Sequence, residues 1–173
     1  MKKLLLLFYF LSFQSIFSQN ILDFELKNVE LQGMKPAKIN QEMKNIRIAQ
    51  NPFVTENPEI ISKLDYRENS SLIRKIYSFI YDNPKGSDGG VVVSQFENKD
   101  DLKSYLATTF EQSNYRVLVK DLFLIRIWSD YSLHVEGRET SEDHLNKLEK
   151  YYINLGAKKV TLKVDKSIIT AVE

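Results

Sequence analysis

From residue 89 to residue 128 the apolar and polar positions follow a strand, helix, strand, strand pattern. Val91, Val92, Val93 and Phe96 form a short β-branched and aromatic run behind Gly89 and Gly90, which marks a buried strand. Leu102, Tyr105, Leu106, Thr109 and Phe110 then recur at i, i+3, i+4, i+7 and i+8, one stripe at helical period. Asn98 is placed to cap that helix, with Asp101 reaching back toward the free backbone N–H groups of its first turn. Val117, Val119, Leu122, Phe123, Leu124, Ile125, Ile127 and Trp128 supply the most apolar strand material beyond the N-terminal run and predict the core.

Residues 71–81 fit either a helical face or one side of a strand. Their β-branched and aromatic composition favours the strand, and the loop 82–90 leads directly into Val91, so a hairpin is expected to join 72–81 to 91–96. That loop holds glycines, Lys85 and Ser87 but no phosphate-binding spacing. It also opens into a strand rather than a helix N-terminus, which leaves an ordinary hairpin tip.

Further on, a short strand is expected at 131–135. A helix follows from Thr140 or Ser141, where Thr140 and Asp143 have the spacing of a capping box. Leu145, Leu148, Tyr152 and Leu155 mark its buried face, and Gly156 stands where such a helix ends. Val160, Leu162 and Val164 alternate with polar residues as in a half-exposed strand. The order β-α-β-β-α-β predicts an α+β domain with a ferredoxin-like antiparallel sheet and helices on one face, extended by an extra hairpin strand and an N-terminal segment.

The preceding stretch is less patterned. Phe24, Leu26, Val29 and Leu31 suggest a pair of short strands, or one bulged strand ending at Gly33. Ile39, Met43 and Ile46 fit a helix, whereas Ile46 and Ile48 alternate like a strand, and the pattern leaves both open. Asn51-Pro52 reads as a turn. Asn57-Pro58 reads as the start of a short helix over Pro58–Leu64, with Asn57 as cap.

At the very start, Lys2 and Lys3 precede an uncharged apolar run over residues 4–17 and then Ser18. This is the form of a secretory signal peptide, with cleavage expected after Ser18; a retained membrane anchor is the alternative. The expected organisation is therefore a signal peptide at 1–18, a partly irregular segment at 19–65 and one α+β domain at 66–173, secreted or periplasmic. The chain contains no cysteine, which excludes disulfides, thiolate nucleophiles and lipidation on a cysteine after cleavage.

The 24 basic and 23 acidic residues nearly balance, and loss of Lys2 and Lys3 with the leader reverses the sign of the small net charge. No basic run exceeds two residues, so a nucleic-acid partner is not expected. Neither is a membrane partner after cleavage, nor a cofactor.

Candidate chemistry centres on the two histidines. On a strand, His134 and Glu136 would share a face, with Asp130, Glu139, Asp143 and His144 near in sequence, so His134, Glu136 and His144 form a candidate divalent-metal set. Their spacing matches no zinc motif, and the simpler expectation is a solvated first helical turn at 142–144. No serine lies in a nucleophile motif. Arg126 interrupts the most apolar strand and is expected on the solvent face of the sheet rather than paired with a buried acid. An open sheet face or edge would suit a protein partner, a second copy in a homodimer, or an added peptide strand. These readings point to an exported, non-enzymatic binding or interaction domain of the bacterial envelope. The alternative is a small metal-dependent hydrolytic enzyme using the His/carboxylate set.

Overall fold

One antiparallel sheet organises the chain. Its strands are β1 (Lys35–Pro36), β2 (Phe53–Thr55), β3 (Ile73–Asp82), β4 (Gly89–Phe96), β5 (Tyr115–Lys120), β6 (Phe123–Ser129) and β7 (Lys158–Lys159). The helices are α1 (Gln41–Asn45), α2 (Pro58–Leu64), α3 (Lys99–Leu106) and α4 (Arg138–Asn154). This computed structural model describes residues 20–27, 29–65, 68–83, 88–107, 115–130 and 138–160, the side chains of 68 and 138–140 excepted. The expected signal peptide at 1–18, Thr109, Phe110, the strand at 131–135, Leu162 and Val164 lie outside the described residues.

Local signals account for most elements. Asn57 caps α2 by accepting from the Glu59 N–H at 2.9 Å, with Pro58 in the first turn where its missing N–H costs nothing. Asn98 caps α3 by accepting from Asp100 and Asp101 N–H at 3.0 and 2.9 Å. The Asp101 carboxylate instead takes the Asn98 side-chain amide, at 3.0 Å, rather than a backbone N–H. At the end of α4, Gly156 adopts φ +90°, and Ala157 N–H returns to the Tyr152 carbonyl at 3.0 Å. The 72–81 strand and its pairing with β4 are present, with Tyr77 opposite Val93 and Phe79 opposite Val91. Leu122, expected in a strand, sits with Asp121 (φ 53°) in the tight turn between β5 and β6.

The chain is an α+β protein, but the sheet order departs from the ferredoxin-like expectation. Strands run β1-β3-β4-β6-β5-β7, with β2 also on β3. In a ferredoxin-like sheet the last strand would lie beside the first of the β-α-β-β-α-β series. Here β3 already fills that place beside β4, and β7 pairs with β5 at the other edge.

The expectation of helices on one face is also overturned. One face carries Tyr77, Phe79, Tyr81, Val91, Val93, Ile125, Ile127 and Leu118, covered by Leu145, Leu148 and Tyr152 of α4 together with Ile21, Phe24 and Leu31. The opposite face carries Ile76, Leu124 and Val117, covered by Leu102, Tyr105 and Leu106 of α3 and by Ile61 of α2. Burial on both sides explains why β6 is buried at every position except the half-buried Trp128. Each such large side chain contributes about 1.5–3 kcal/mol through removal from water.

Residues 20–32 form no strand among the described residues, contrary to the reading of Phe24 to Leu31. A 3-10 turn at Ile21–Phe24, capped by Asn20, leads into a strap whose backbone bonds to side chains instead of a sheet. Tyr77 accepts from Leu26 N–H at 3.1 Å, Tyr152 donates to the Phe24 carbonyl at 2.9 Å, Tyr151 to Glu25 at 2.7 Å and Tyr81 to Val29 at 3.0 Å.

The outer edge of β3 is sealed by parts that pattern reading misses. β2 pairs with Ile76 to Ser78, and β1 with Tyr81 and Asp82. Between them the Asn51 side chain substitutes for a strand. Its amide donates to the Ile80 carbonyl at 2.7 Å and to Ala37 at 3.0 Å, and its oxygen accepts from Ile80 N–H at 3.0 Å.

Candidate functional site

Strand alternation and register decide what the sheet presents at its Ile80 end. Ile80 pairs with Gly90, Gly90 with Trp128, and Trp128 with Tyr115, so these four lie in one row on the α3-bearing face. Ile80, Trp128 and Tyr115 are half-buried and, among the described residues, lie outside the packed cores on both faces of the sheet. Gly90 has no side chain to lift the row, and the Trp128 indole lies over it. The result is an aromatic shelf on a rigid support.

The next row on the same face is charged. Asp82 lies two residues beyond Ile80, Asp88 two before Gly90 and Asp130 two beyond Trp128, and all three are exposed. Asp130 N–H donates to the Asp88 carbonyl at 2.7 Å, which ties the two strand ends together. Although Asp88 as a residue is exposed, partial burial of its carboxyl holds it above the usual carboxylate range, followed by repulsion from Asp82 and Asp130 and a side-chain hydrogen bond with Asp82, against a lowering bond from the Asn83 backbone. Lys35 is the register partner of Asp82 across the β1–β3 pairing.

Toward the other end of this face, Arg126 is only 7% exposed, which corrects its expected solvent-facing position. Its Nη2 lies 2.9 Å from the buried Asp65 carboxylate, which also accepts from the Tyr105 hydroxyl. The guanidinium carbon stands 5.8 Å from the Tyr105 ring centroid. Among the described residues Arg126 Nε finds no acceptor, and the buried Ser94 Oγ finds no hydrogen-bond partner. The cation is inside because α2 and α3 close over this end of the sheet. Charge neutralisation by Asp65 is what makes that burial tolerable.

His144, expected in a solvated first turn, is buried at 6% exposure, while Glu142 and Asp143 beside it are exposed as expected. Its Nε2 lies 2.9 Å from the Gln32 carbonyl. A carbonyl can only accept, so Nε2 carries the hydrogen and Nδ1 is the nitrogen left for any other contact. His134 and Glu136 lie outside the described residues. Among the described residues no group of three or more His, Asp or Glu side chains is placed to hold a metal ion.

Four tyrosines surround the strap. Burial pushes the Tyr77 phenol up to about 12, against a lowering bond from Leu26 N–H, and burial likewise raises Tyr81 and Tyr152. The Tyr77, Tyr81 and Tyr152 phenols are therefore neutral posts that hold the strap. None of these tyrosine contacts was readable from spacing, because the partners lie more than fifty residues away in the sequence.

No protein-family model, curated protein or solved structure matches this chain. Among the described residues no helix is long and apolar enough to cross a membrane.

Proposed function

We propose that this chain is an exported, non-enzymatic binding or interaction domain of the bacterial envelope, acting in the periplasm or outside the cell. The export part comes from the N-terminal sequence, and the binding part is carried by the Ile80, Trp128 and Tyr115 row. Large flat side chains held on a sheet bury much area at small entropic loss, which is how aromatic anchors act in interfaces. This moves the interaction surface from the wholly open face expected from sequence to one end of a face that α2 and α3 otherwise cover.

Trp128 is the only tryptophan in the chain, so its fluorescence reports directly on the shelf. Titrating residues 19–173 with fractionated envelope extract should give a saturable spectral shift that Tyr115→Ser diminishes. Absence of any shift would sink the binding reading. The alternative, a metal-dependent hydrolase on His134, Glu136 and His144, would have to bind its metal through Nδ1 of His144. It predicts that zinc or manganese raises the unfolding midpoint, and that His134→Ala abolishes the rise.

A further inference from the structure

The shelf and the acidic row are adjacent rows of one sheet face. Position alternation puts Asp82, Asp88 and Asp130 beside Ile80, Gly90 and Trp128, one strand step of about 7 Å away. The acidic side chains are exposed, whereas the shelf side chains are half-buried. Among the described residues, three carboxylates gather at this end of the sheet with Lys35 as the one cation in register beside them, in a chain whose overall charges nearly balance. The negative charge is therefore a local feature, and it sits where an apolar group would land.

We propose that the shelf takes a protein segment in which an apolar side chain is flanked by lysine or arginine. The apolar group lies on Trp128 and Tyr115 over Gly90, and the flanking cations meet Asp82, Asp88 and Asp130. This inference rests on the binding reading above and names the class of partner. Each half of the contact supplies what the other lacks. The aromatic row gives area but little discrimination, and the carboxylates reject acidic segments and steer basic ones at long range. The Asp88 carboxyl, raised first by burial, is raised further by the neighbouring Asp82 and Asp130, a repulsion that an incoming cation relieves.

Three synthetic peptides separate the contributions: alternating lysine and leucine, alternating lysine and serine, and alternating glutamate and leucine. Each is titrated into residues 19–173 while Trp128 fluorescence is followed. The expected result is a saturable shift with the lysine/leucine peptide alone. It should weaken by about tenfold in the Asp88→Asn, Asp130→Asn double variant, and fall as salt is raised above about 0.15 M. Both aspartates lie at the ends of strands and are exposed, so the variant is expected to fold, which its unfolding midpoint checks.

Equal binding of the glutamate/leucine peptide would overturn the charge argument. Equal binding of the lysine/serine peptide would overturn the shelf. If no peptide shifts Trp128 while envelope extract still does, the partner class proposed here is wrong and the binding reading stands. If neither does, the binding reading itself fails.

Discussion

Trp128 stands opposite Gly90 in the pairing of β4 with β6, and its indole occupies the space a side chain at residue 90 would need. A Cβ there would lie 2.5 Å from the Phe79 carbonyl oxygen and 3.0 Å from the indole. The carbonyl belongs to the β3 backbone and cannot move without breaking the ladder. Gly90→Ala should therefore cost about 1–3 kcal/mol in urea denaturation and should red-shift Trp128 emission as the ring is displaced. At Gly89 the nearest approaches are 3.2 Å to the Trp128 carbonyl and 3.3 Å to the flexible end of Met34. Gly89→Ala should cost less. Equal losses at the two positions would contradict the close approach.

Arg126 and Asp65 form a buried charge pair, and removing Asp65 leaves the buried guanidinium without its counter-charge. Asp65→Ala should destabilise by about 3–5 kcal/mol, and Tyr105→Phe by about 1–2 kcal/mol through loss of one charge-assisted bond. The double variant Arg126→Met, Asp65→Leu should be closer to the wild type than Asp65→Ala. A double-mutant cycle measured by denaturation checks the coupling. Additive losses would mean that the two charges do not compensate one another.

Alkaline pH should unfold the protein through its tyrosines. Below about pH 10 the phenols are protonated in both the folded and unfolded chains, and their contribution is complete. Between about 10 and the folded value of about 12 for Tyr77, the unfolded chain releases a proton that the folded one keeps. Stability then falls by about 1.4 kcal/mol per pH unit for each such tyrosine, and Tyr81 and Tyr152, also raised, add to the slope. Tyr77→Phe should lower stability at neutral pH by loss of the Leu26 bond, and should flatten the alkaline slope. An unchanged slope in the Tyr77→Phe, Tyr81→Phe double variant would assign the alkaline loss to other groups.

Asn51 closes the gap between β1 and β2, so its loss should open the β3 edge. Asn51→Ala leaves Ile80 N–H without its partner and removes one of the two donors to the Ile80 carbonyl, which keeps the Ala37 N–H at 2.9 Å, and should cost about 1–3 kcal/mol. Asn51→Asp should cost more, because a carboxylate cannot donate to the Ile80 and Ala37 carbonyls. Faster amide exchange at Ile80 in both variants, with the β4 amides unaffected, is the expected signature. Uniform exchange changes across the sheet would show a global loss instead.

The two principal departures from sequence reading share a cause. Val91 to Val93 and Phe123 to Ile127 are continuous apolar runs, and such runs mark strands covered on both faces. That signal was present, but Arg126 within the second run suggested a wet face. It could not be read otherwise without knowing that Asp65, sixty-one positions earlier, arrives beside it. Among the site residues, Trp128 was visible as core strand material, whereas its alignment with Tyr115, Gly90 and Ile80 required the pairing register. Of the histidine set, only His144 is within the described residues, and the Gln32 carbonyl that engages it lies on the distant strap.

What the chain declares on its own is local: the caps at Asn57 and Asn98, the stop at Gly156, the period of α3 and α4, and the alternation or apolar runs of β3 to β6. These depend on residues a few positions apart, whose interactions are the same in any fold. Which face each helix covers, the place of β7 beside β5, the burial of Arg126 and the tyrosine clasp on the strap are properties of the folded whole. They arise from contacts between residues far apart in the chain, where periodicity states only that a surface must be buried and only packing selects what buries it.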